Sequence, residues 1–158
     1  MPRSHRQRLV ATCADLGVEP KAQVSQGAPG EITLHLRPIG ESLVGHRQGH
    51  RVREQIGLRI TLSQDEIMPQ ETFLRADFFD LPAHLYAKDG TVGFGSRLEL
   101  GLLDLVAETF DAEISAGYYP LDHDRLIPDQ EKPGVMIFEA VLDTDIFALL
   151  LENQFRRG

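Results

Sequence analysis

The sequence predicts an α+β fold with a mainly antiparallel sheet of about five to six strands and three helices. The predicted strands cluster in the middle of the chain and are joined by turns. The predicted helices stand at the N-terminus, near residues 97–110 and at the C-terminus. The regular alternation of strand and helix that is typical of a parallel sheet is missing. The 158 residues fit a single globular domain, residues 1–158.

The first third of the chain predicts a helix, a loop and a strand. The helix begins at Ser4, its N-cap, and runs to about Leu16, because apolar residues recur at helical spacing before Gly17. The segment Gln23–Gly30 is rich in glutamine, glycine and serine and is predicted to be a loop. The segment Glu31–Arg37 alternates apolar and polar residues, which is typical of a half-buried strand.

The middle of the chain supplies further strands. Leu58–Leu62 alternates in the same way, and Phe73–Phe78 and Ala83–Ala87 are further strand candidates. An Asp-Gly pair at positions 89–90 predicts a tight hairpin turn. Segment 42–55 is ambiguous, since each of its two glycines would weaken a helix by about 1 kcal/mol relative to alanine.

The last third predicts two helices around a central strand. Ser96 and Glu99 form a capping box in front of a helical stripe of apolar residues. Val135–Leu142 is apolar along most of its length, which is typical of a central strand. A C-terminal helix follows, with Asp143 or Thr144 as its predicted N-cap.

Three single residues carry separate expectations. Gly101 interrupts the second predicted helix and should weaken it. Asp104 falls largely outside the apolar stripe of that helix and is expected on its polar side. Cys13, the one cysteine, lies in an apolar run and is predicted to be a core residue rather than a reactive nucleophile.

Charge is distributed unevenly along the chain, whose formal net charge is −8. Residues 1–60 contain nine basic and five acidic residues, a net charge of +4. Residues 61–158 contain seven basic and nineteen acidic residues, a net charge of −12. Either the two halves partly neutralise each other in the folded protein, or the molecule is polar and meets its partners head to tail.

Composition argues against several classes of protein. No run approaches the roughly 18 apolar residues of a membrane-spanning helix, and the basic N-terminus is not followed by an apolar signal core. One cysteine cannot form an internal disulfide. We therefore expect a cytoplasmic protein with no membrane contact and no cofactor. Nucleic acid is an unlikely partner for a chain this acidic.

The first candidate site combines His46 and His50 with Arg47, Arg51 and Arg53. Two histidines four residues apart share one helix face and could reach one metal ion. The arginines oppose a cation, and Arg47 stands where the zinc-peptidase signature requires a glutamate. Guanidinium groups suit carboxylates and phosphates. The segment is therefore either a plain surface segment or an anion-binding site, with a metal site disfavoured.

The second candidate is Asp122-His123-Asp124. Two carboxylates beside a histidine could bind a divalent ion or form an acid/base pair. Adjacent residues point in different directions in regular structure, so a shared site would need a sharp turn. The alternative is a solvated loop, and we predict no metal ion for the protein.

The third candidate is the glycine-rich segment 90–95, which opens the second predicted helix next to Arg97. Free backbone N–H groups at such a place can hold a phosphate, with Arg97 in support. The segment lacks the lysine of the P-loop and the third glycine of the dinucleotide-binding motif. The hairpin turn already accounts for Gly90, and glycines within a strand can mark a β-bulge.

The leading interpretation is a non-enzymatic binding or assembly protein, such as an inhibitor, a chaperone or a complex component. Its acidic surface would bind a basic protein partner. The predicted partner-binding residues are Asp111, Glu113, Tyr118, Tyr119, Asp122 and Asp124. Phe78 and Phe79 are further candidates for exposed aromatic residues, and an exposed apolar segment at that place would suit a homodimer.

The alternative is a small hydrolase or isomerase that acts on an anionic small molecule. The arginines would bind the anion, and the histidines would transfer protons. The anion-binding residues would be Arg47, Arg51, Arg53 and Arg97, and the catalytic residues His46, His50 or His123.

Overall fold

An antiparallel sheet and three helices make up the fold in the computed structural model. The model describes residues 5–27, 30–38, 57–64, 68, 70–81, 85, 96–114, 117–121 and 126–157. The helices are α1 (His5–Leu16), α2 (Ser96–Phe110) and α3 (Ile146–Arg157). The strands are β1 (Val18–Gln26), β2 (Glu31–Pro38), β3 (Gly57–Gln64), β4 (Thr72–Phe79), β5 (Tyr119–Pro120), β6 (Ile127–Pro128) and β7 (Val135–Leu142). The α+β prediction is confirmed.

The sheet has the order β1-β2-β3-β4-β7, and both two-residue strands, β5 and β6, pair with β7 on its other side. Every pairing is antiparallel. The first four strands are therefore a meander in chain order. The last strand in the sequence, β7, lies inside the sheet rather than at its edge.

One face of the sheet is covered by the helices and forms the core. Ile32 lies opposite Leu62, and Leu62 lies opposite Leu74, so apolar rows run across the strands. These rows are buried together with apolar residues of the helices, including Leu102 of α2 and Ile146 of α3. Full burial of such a side chain stabilises the fold by about 1.5–3 kcal/mol. The period-two pattern of β2, β3 and β4 thus fixes which side of the sheet meets the helices.

β1 was not predicted, and the loop assigned to Gln23–Gly30 is wrong over its first four residues. Those residues belong to β1, which pairs with β2 and is irregular between Val18 and Ala22. β1 is an edge strand in which most side chains are exposed. An exposed edge strand needs no apolar alternation, so its sequence resembles a loop.

The ends of α1 and α3 are fixed by local hydrogen bonds. Gly17 has a φ of 74° and donates its N–H to the carbonyl of Ala14 at 3.2 Å, as expected where glycine ends a helix. The N-cap of α3 is Asp145, whose Oδ1 accepts the N–H of Ala148 at 3.0 Å. The prediction of Asp143 or Thr144 is wrong, because three polar side chains stand in a row and only backbone geometry selects among them.

Asp111 ends α2 in a left-handed conformation. Its φ is 51°, and its N–H donates to the carbonyl of Glu108 at 3.5 Å. The N–H of Ala112 donates to the carbonyl of Ala107 at 2.9 Å. These two bonds form a Schellman motif, in which the residue at the position of Asp111 is usually glycine.

Close packing of α1 against α2 explains Gly101 and corrects the expectation for Asp104. A Cβ atom on Gly101 would overlap the side chain of Thr12, so glycine permits the close approach of the two helices. Asp104 is buried between them rather than placed on a polar side. Its carboxylate receives two hydrogen bonds from Arg8, at 2.6 Å from Nε and 3.3 Å from Nη2. An acid outside the apolar stripe is buried because a charged partner comes with it.

Some structural predictions lie outside the described residues. They are segment 42–55, the hairpin turn at 89–90, the cap at Ser4 and the side chain of Ser96. Of the strand predicted at Ala83–Ala87 the structure describes Leu85, which is in a 3₁₀ turn. Among the described residues, no helix combines the length and the apolar character needed to cross a membrane.

Candidate functional site

The sheet face opposite the helices is polar and carries a candidate site that was not predicted from the sequence. His35 lies opposite Arg59, and Arg59 lies opposite Asp77, so the three form one row across β2, β3 and β4. In the next row Thr33 lies opposite Thr61. Because successive side chains of a strand point to opposite faces, burying the apolar set on one side places this polar set on the other.

The turn between β6 and β7 forms one wall beside this face. Arg75 donates from Nη2 to Oδ2 of Asp129 at 3.3 Å, which anchors the turn to β4. Oδ1 of Asp129 accepts the N–H of Glu131 at 2.8 Å, and the N–H of Asp129 donates to the carbonyl of Val135 at 2.9 Å. Asp129 therefore closes the turn and attaches it to the sheet.

Between the turn and the strands lies a concave space of about 700 Å³, which we call the open-face groove. Its lining residues are Glu31, Thr33, His35, Arg59, Thr61, Arg75, Asp77, Ile137 and the turn residues 129–132. Small-molecule sites in proteins typically occupy about 300–1,000 Å³, so the groove is large enough for a small ligand.

Asp77 is the electrostatic centre of the groove, with a side chain that is 6% exposed within β4. Arg75 donates from Nε to its Oδ1 at 3.1 Å, and Nε of Arg59 lies 3.8 Å from its Oδ2. The guanidinium carbon of Arg59 lies 5.4 Å from the centre of the Phe79 ring, within cation–π range. Two arginines offset the desolvation of one buried carboxylate, and the ring fixes the orientation of Arg59.

Another candidate site lies at the end of the sheet where β4 begins and β7 ends. The hydroxyl of Thr72 donates to the carbonyl of Thr144 at 2.6 Å and accepts the N–H of Ile146 at 3.2 Å. The hydroxyl of Thr144 donates to the carbonyl of Glu113 at 2.9 Å. These bonds hold the start of β4, the start of α3 and the segment after α2 together.

Four carboxylates are gathered at this end, which we call the acidic end: Glu71, Glu113, Asp143 and Asp145. The hydroxyl of Tyr119 lies 3.5 Å from Oε2 of Glu71, and Gly117 packs next to the side chain of Asp143. The segment after α2 therefore adds its residues to the acids of β4 and β7.

Large apolar side chains are exposed in the same segments. Met68 is 42% exposed, Tyr119 is 50% exposed and Leu121 is 48% exposed. Tyr118, by contrast, is half-buried. Burial, followed by the negative charge of Glu99 and a hydrogen bond to it, raises the pKa of the Tyr118 phenol. Tyr118 therefore attaches this segment to α2, while Tyr119 faces solvent.

The predicted partner-binding residues separate into described and undescribed ones. Asp111, Glu113 and Tyr119 are exposed, as a binding surface requires, whereas Tyr118 is half-buried. Whether they bind a partner stays a prediction. Asp122, His123 and Asp124 lie outside the described residues. The metal ion or acid/base pair considered for them therefore stays a hypothesis.

The expectation of exposed aromatic residues at positions 78 and 79 is wrong for Phe78 and holds in part for Phe79. Phe78 is buried in the core, and Phe79 is half-buried with Arg59 over its ring. The two residues alternate between the faces of β4, and each face has a neighbour that covers its ring. The apolar segment that suggested a homodimer therefore gives no support for one.

The residues of the predicted anion site and of the enzyme alternative are not described. His46, His50, Arg47, Arg51 and Arg53 fall in the chain between β2 and β3, outside the described ranges. The glycine-rich segment 90–95 also lies outside them. Arg97 belongs to the first turn of α2, but its side chain is not described. These predictions remain untested.

Sequence reasoning missed the groove residues, although part of the signal was present. Arg75 and Asp77 stand two positions apart in a predicted strand, so the period-two rule already places both on the polar face. Arg59 occupies the equivalent polar position of β3. Asp129 had no such signal, because its contact with Arg75 depends on how a distant turn folds back onto the sheet.

No family model, no curated protein and no solved structure matches this chain. The case for function therefore depends on the geometry of the open-face groove and the acidic end.

Proposed function

We propose that this protein is a non-enzymatic binding or assembly protein whose acidic end contacts a basic region of a protein partner. The observation that carries the proposal is the combination of exposed Met68, Tyr119 and Leu121 with the four carboxylates of the acidic end. Protein interfaces typically combine an apolar centre, rich in tyrosine and methionine, with a polar rim. The segments that carry the four acids also carry these exposed apolar side chains.

Charge favours a basic partner. Among the described residues of segments 68–72, 110–121 and 141–145, which carry the acidic end, there is no lysine or arginine. Among the described residues the ion pairs involve Asp77, Asp104, Glu108 and Asp129, and neither Glu71 nor Glu113 takes part in one. The carboxylates of Glu71 and Glu113 therefore remain available to attract cationic side chains, which raises association rates at low salt.

Two acids are suited to charge reversal. The hydrogen bond at Glu113 uses its backbone carbonyl, and the bond to Glu71 is long, so lysine at either position leaves the fold intact. Asp145 is unsuitable because it caps α3, and Asp111 because its φ of 51° strains a lysine. The double variant Glu71→Lys/Glu113→Lys is therefore the test protein.

The test measures binding of a lysine-rich peptide by fluorescence anisotropy at about 0.1 M salt. We expect the double variant to bind at least tenfold more weakly than wild type. The matched control is Glu19→Lys/Glu152→Lys, which makes the same change in net charge at exposed positions of β1 and α3. The control should retain wild-type affinity, because charges beyond a Debye length of about 10 Å are screened at 0.1 M salt.

Two outcomes would contradict the proposal. One is an equal loss in both double variants, which would mean that net charge alone attracts the peptide. The other is no binding by the wild type. A protein captured from a cell extract supports the proposal only if it is basic, is lost with the Glu71/Glu113 variant and is retained with the control.

A further inference from the structure

We propose that the open-face groove binds a linear zwitterion whose charged groups lie about 10 Å apart, the extended length of an unblocked tripeptide. This inference does not depend on the proposed function, because none of the residues that line the groove belongs to the acidic end. It follows from the arrangement of charged side chains along the groove and from the N–H groups of Arg59, which have no hydrogen-bond partner among the described residues.

Arg59 marks the end of the groove that accepts an anionic group. Its guanidinium stacks on Phe79 and lies 3.8 Å from Asp77, which is an ion-pair distance and too long for a hydrogen bond. Among the described residues it has no hydrogen-bond partner, so its N–H groups can serve a ligand. A planar guanidinium held in one orientation suits a carboxylate, which it can bind through two parallel bonds.

His35 and Glu31 give the groove its direction. His35 lies directly opposite Arg59, at the same end of the groove. Glu31 lines the groove four residues earlier on β2, about 13 Å away at about 3.3 Å per residue. A carboxylate at one end and a guanidinium at the other therefore face a ligand with opposite charges at its two ends.

The floor between the two ends consists of hydroxyl groups. Thr33 and Thr61 lie opposite each other in the middle of the groove and line it. A hydroxyl both donates and accepts hydrogen bonds, so the pair can meet the N–H and C=O groups of a peptide. An apolar ligand would leave these hydroxyls without partners and is disfavoured.

The balance of charge selects a zwitterion over an anion. Three basic side chains line the groove, Arg59, Arg75 and Lys132, against four acidic ones, Glu31, Asp77, Asp129 and Glu131. Arg75 is already bonded to both Asp77 and Asp129. A ligand carrying only negative charge would meet net repulsion from the remaining carboxylates, whereas a ligand with a separate ammonium group can pair with Glu31.

The test uses triglycine as the probe in isothermal titration calorimetry with the full chain. A peptide of this size is expected to bind with a Kd of about 1 mM. We expect N-acetyl-triglycine, which lacks the ammonium group, and triglycine amide, which lacks the carboxylate, each to bind at least tenfold more weakly. Glycine, whose charges are too close together, should not bind.

Variants locate the site. Arg59→Gln should weaken triglycine binding at least tenfold, while Asp77 keeps its bond to Arg75. Arg59→Gln should not weaken triglycine amide further, because that probe lacks the group that Arg59 binds. The matched control is Arg37→Gln, an exposed arginine of β2 outside the groove, which should bind triglycine like wild type.

The proposal is overturned if triglycine does not bind at concentrations of about ten times the expected Kd. It is also overturned if both blocked forms bind as well as triglycine, or if Arg37→Gln lowers affinity as much as Arg59→Gln. Circular dichroism of each variant checks that it is folded. Should Arg59→Gln fail to fold, Arg59→Lys keeps the charge for Asp77 but loses the planar two-bond geometry, and the same weakening is expected.

Discussion

Cys13 shows how a single position in a helix decides chemical reactivity. Its side chain is 2% exposed on the face of α1 that meets the core, so the prediction of a core residue is confirmed. Burial raises the pKa of the Cys13 thiol to about 11. Because the thiolate is the reactive form, both shielding and protonation suppress its chemistry at neutral pH.

We therefore expect Cys13 in the folded protein to react with a disulfide reagent at least 100-fold more slowly than in the urea-unfolded chain. The measurement is the labelling rate at pH 8, below the raised pKa of the folded state and close to the ordinary cysteine value of about 8.5. A labelling rate in the folded protein equal to that of the unfolded chain would show that Cys13 is accessible.

Asp77 shows how far residue-level reasoning reaches. Its place on the polar face of a strand, beside Arg75, follows from the period of the sequence. The pairing of Asp77 with Arg59 depends on the register of β3 on β4. The hydrogen bond that attaches the β6–β7 turn to the sheet joins Arg75 to Asp129, which lie 54 positions apart in the sequence. The alternation of side chains can be predicted from the sequence of a single strand, whereas strand register and long-range contacts depend on the whole fold.

At the scale of elements, Gly101 shows that helix propensity and helix packing can oppose each other. From the sequence, Gly101 only weakens α2. In the structure it allows α1 and α2 to approach, with Thr12 at the crossing point. The same approach brings Arg8 to Asp104, so one small residue lets a partly buried ion pair form between the helices.

Replacing Gly101 with alanine tests this packing. Propensity alone would favour alanine by about 1 kcal/mol, but overlap with Thr12 should make Gly101→Ala destabilising by about 1–3 kcal/mol. The measurement is urea unfolding. The double variant Thr12→Gly/Gly101→Ala, which moves the glycine to α1, should recover part of the loss. Ala14→Gly, at an exposed position of α1, calibrates the cost of glycine in a helix.

A stabilised Gly101→Ala protein would mean that α1 and α2 lie farther apart than the contact of Gly101 with Thr12 indicates.

The strands differ in how far their sequences predict them. Strands β2, β3, β4 and β7 were predictable from apolar patterning, because each contributes to the core. β1 contributes few buried residues to the core, so its sequence did not predict a strand. The two-residue strands β5 and β6 exist through pairing with β7 and have no pattern of their own.

At the scale of the whole molecule, the uneven charge of the chain is resolved in two ways. Arg6, Arg8 and Arg59 from the first part of the chain pair with Glu108, Asp104 and Asp77 from the later part. The halves therefore do neutralise each other, at the contact of α1 with α2 and in the sheet. The acidic end takes no part in these pairs, and the net charge of −8 remains.

Self-repulsion at the acidic end should make the protein more stable in salt. Between about 10 and 150 mM NaCl the Debye length falls from about 30 to about 8 Å, which screens repulsion between carboxylates. We expect the melting temperature to rise with salt. For a domain of this size, each 1 kcal/mol added to the free energy of unfolding raises the melting temperature by about 2–4 °C. Differential scanning calorimetry measures it, and Glu71→Gln/Glu113→Gln should show a smaller rise. A melting temperature that falls with salt would mean that attractive pairs dominate.

The place of β7 in the sheet has a consequence for biosynthesis. A ribosome delivers the meander β1 to β4 first, and these strands leave one long side of β4 without a hydrogen-bonding neighbour until β7 arrives. β5 and β6, although translated earlier than β7, have nothing to pair with before it. The nascent chain therefore carries an open sheet edge from the completion of β4 at Phe79 until residues 135–142 insert between segments already made.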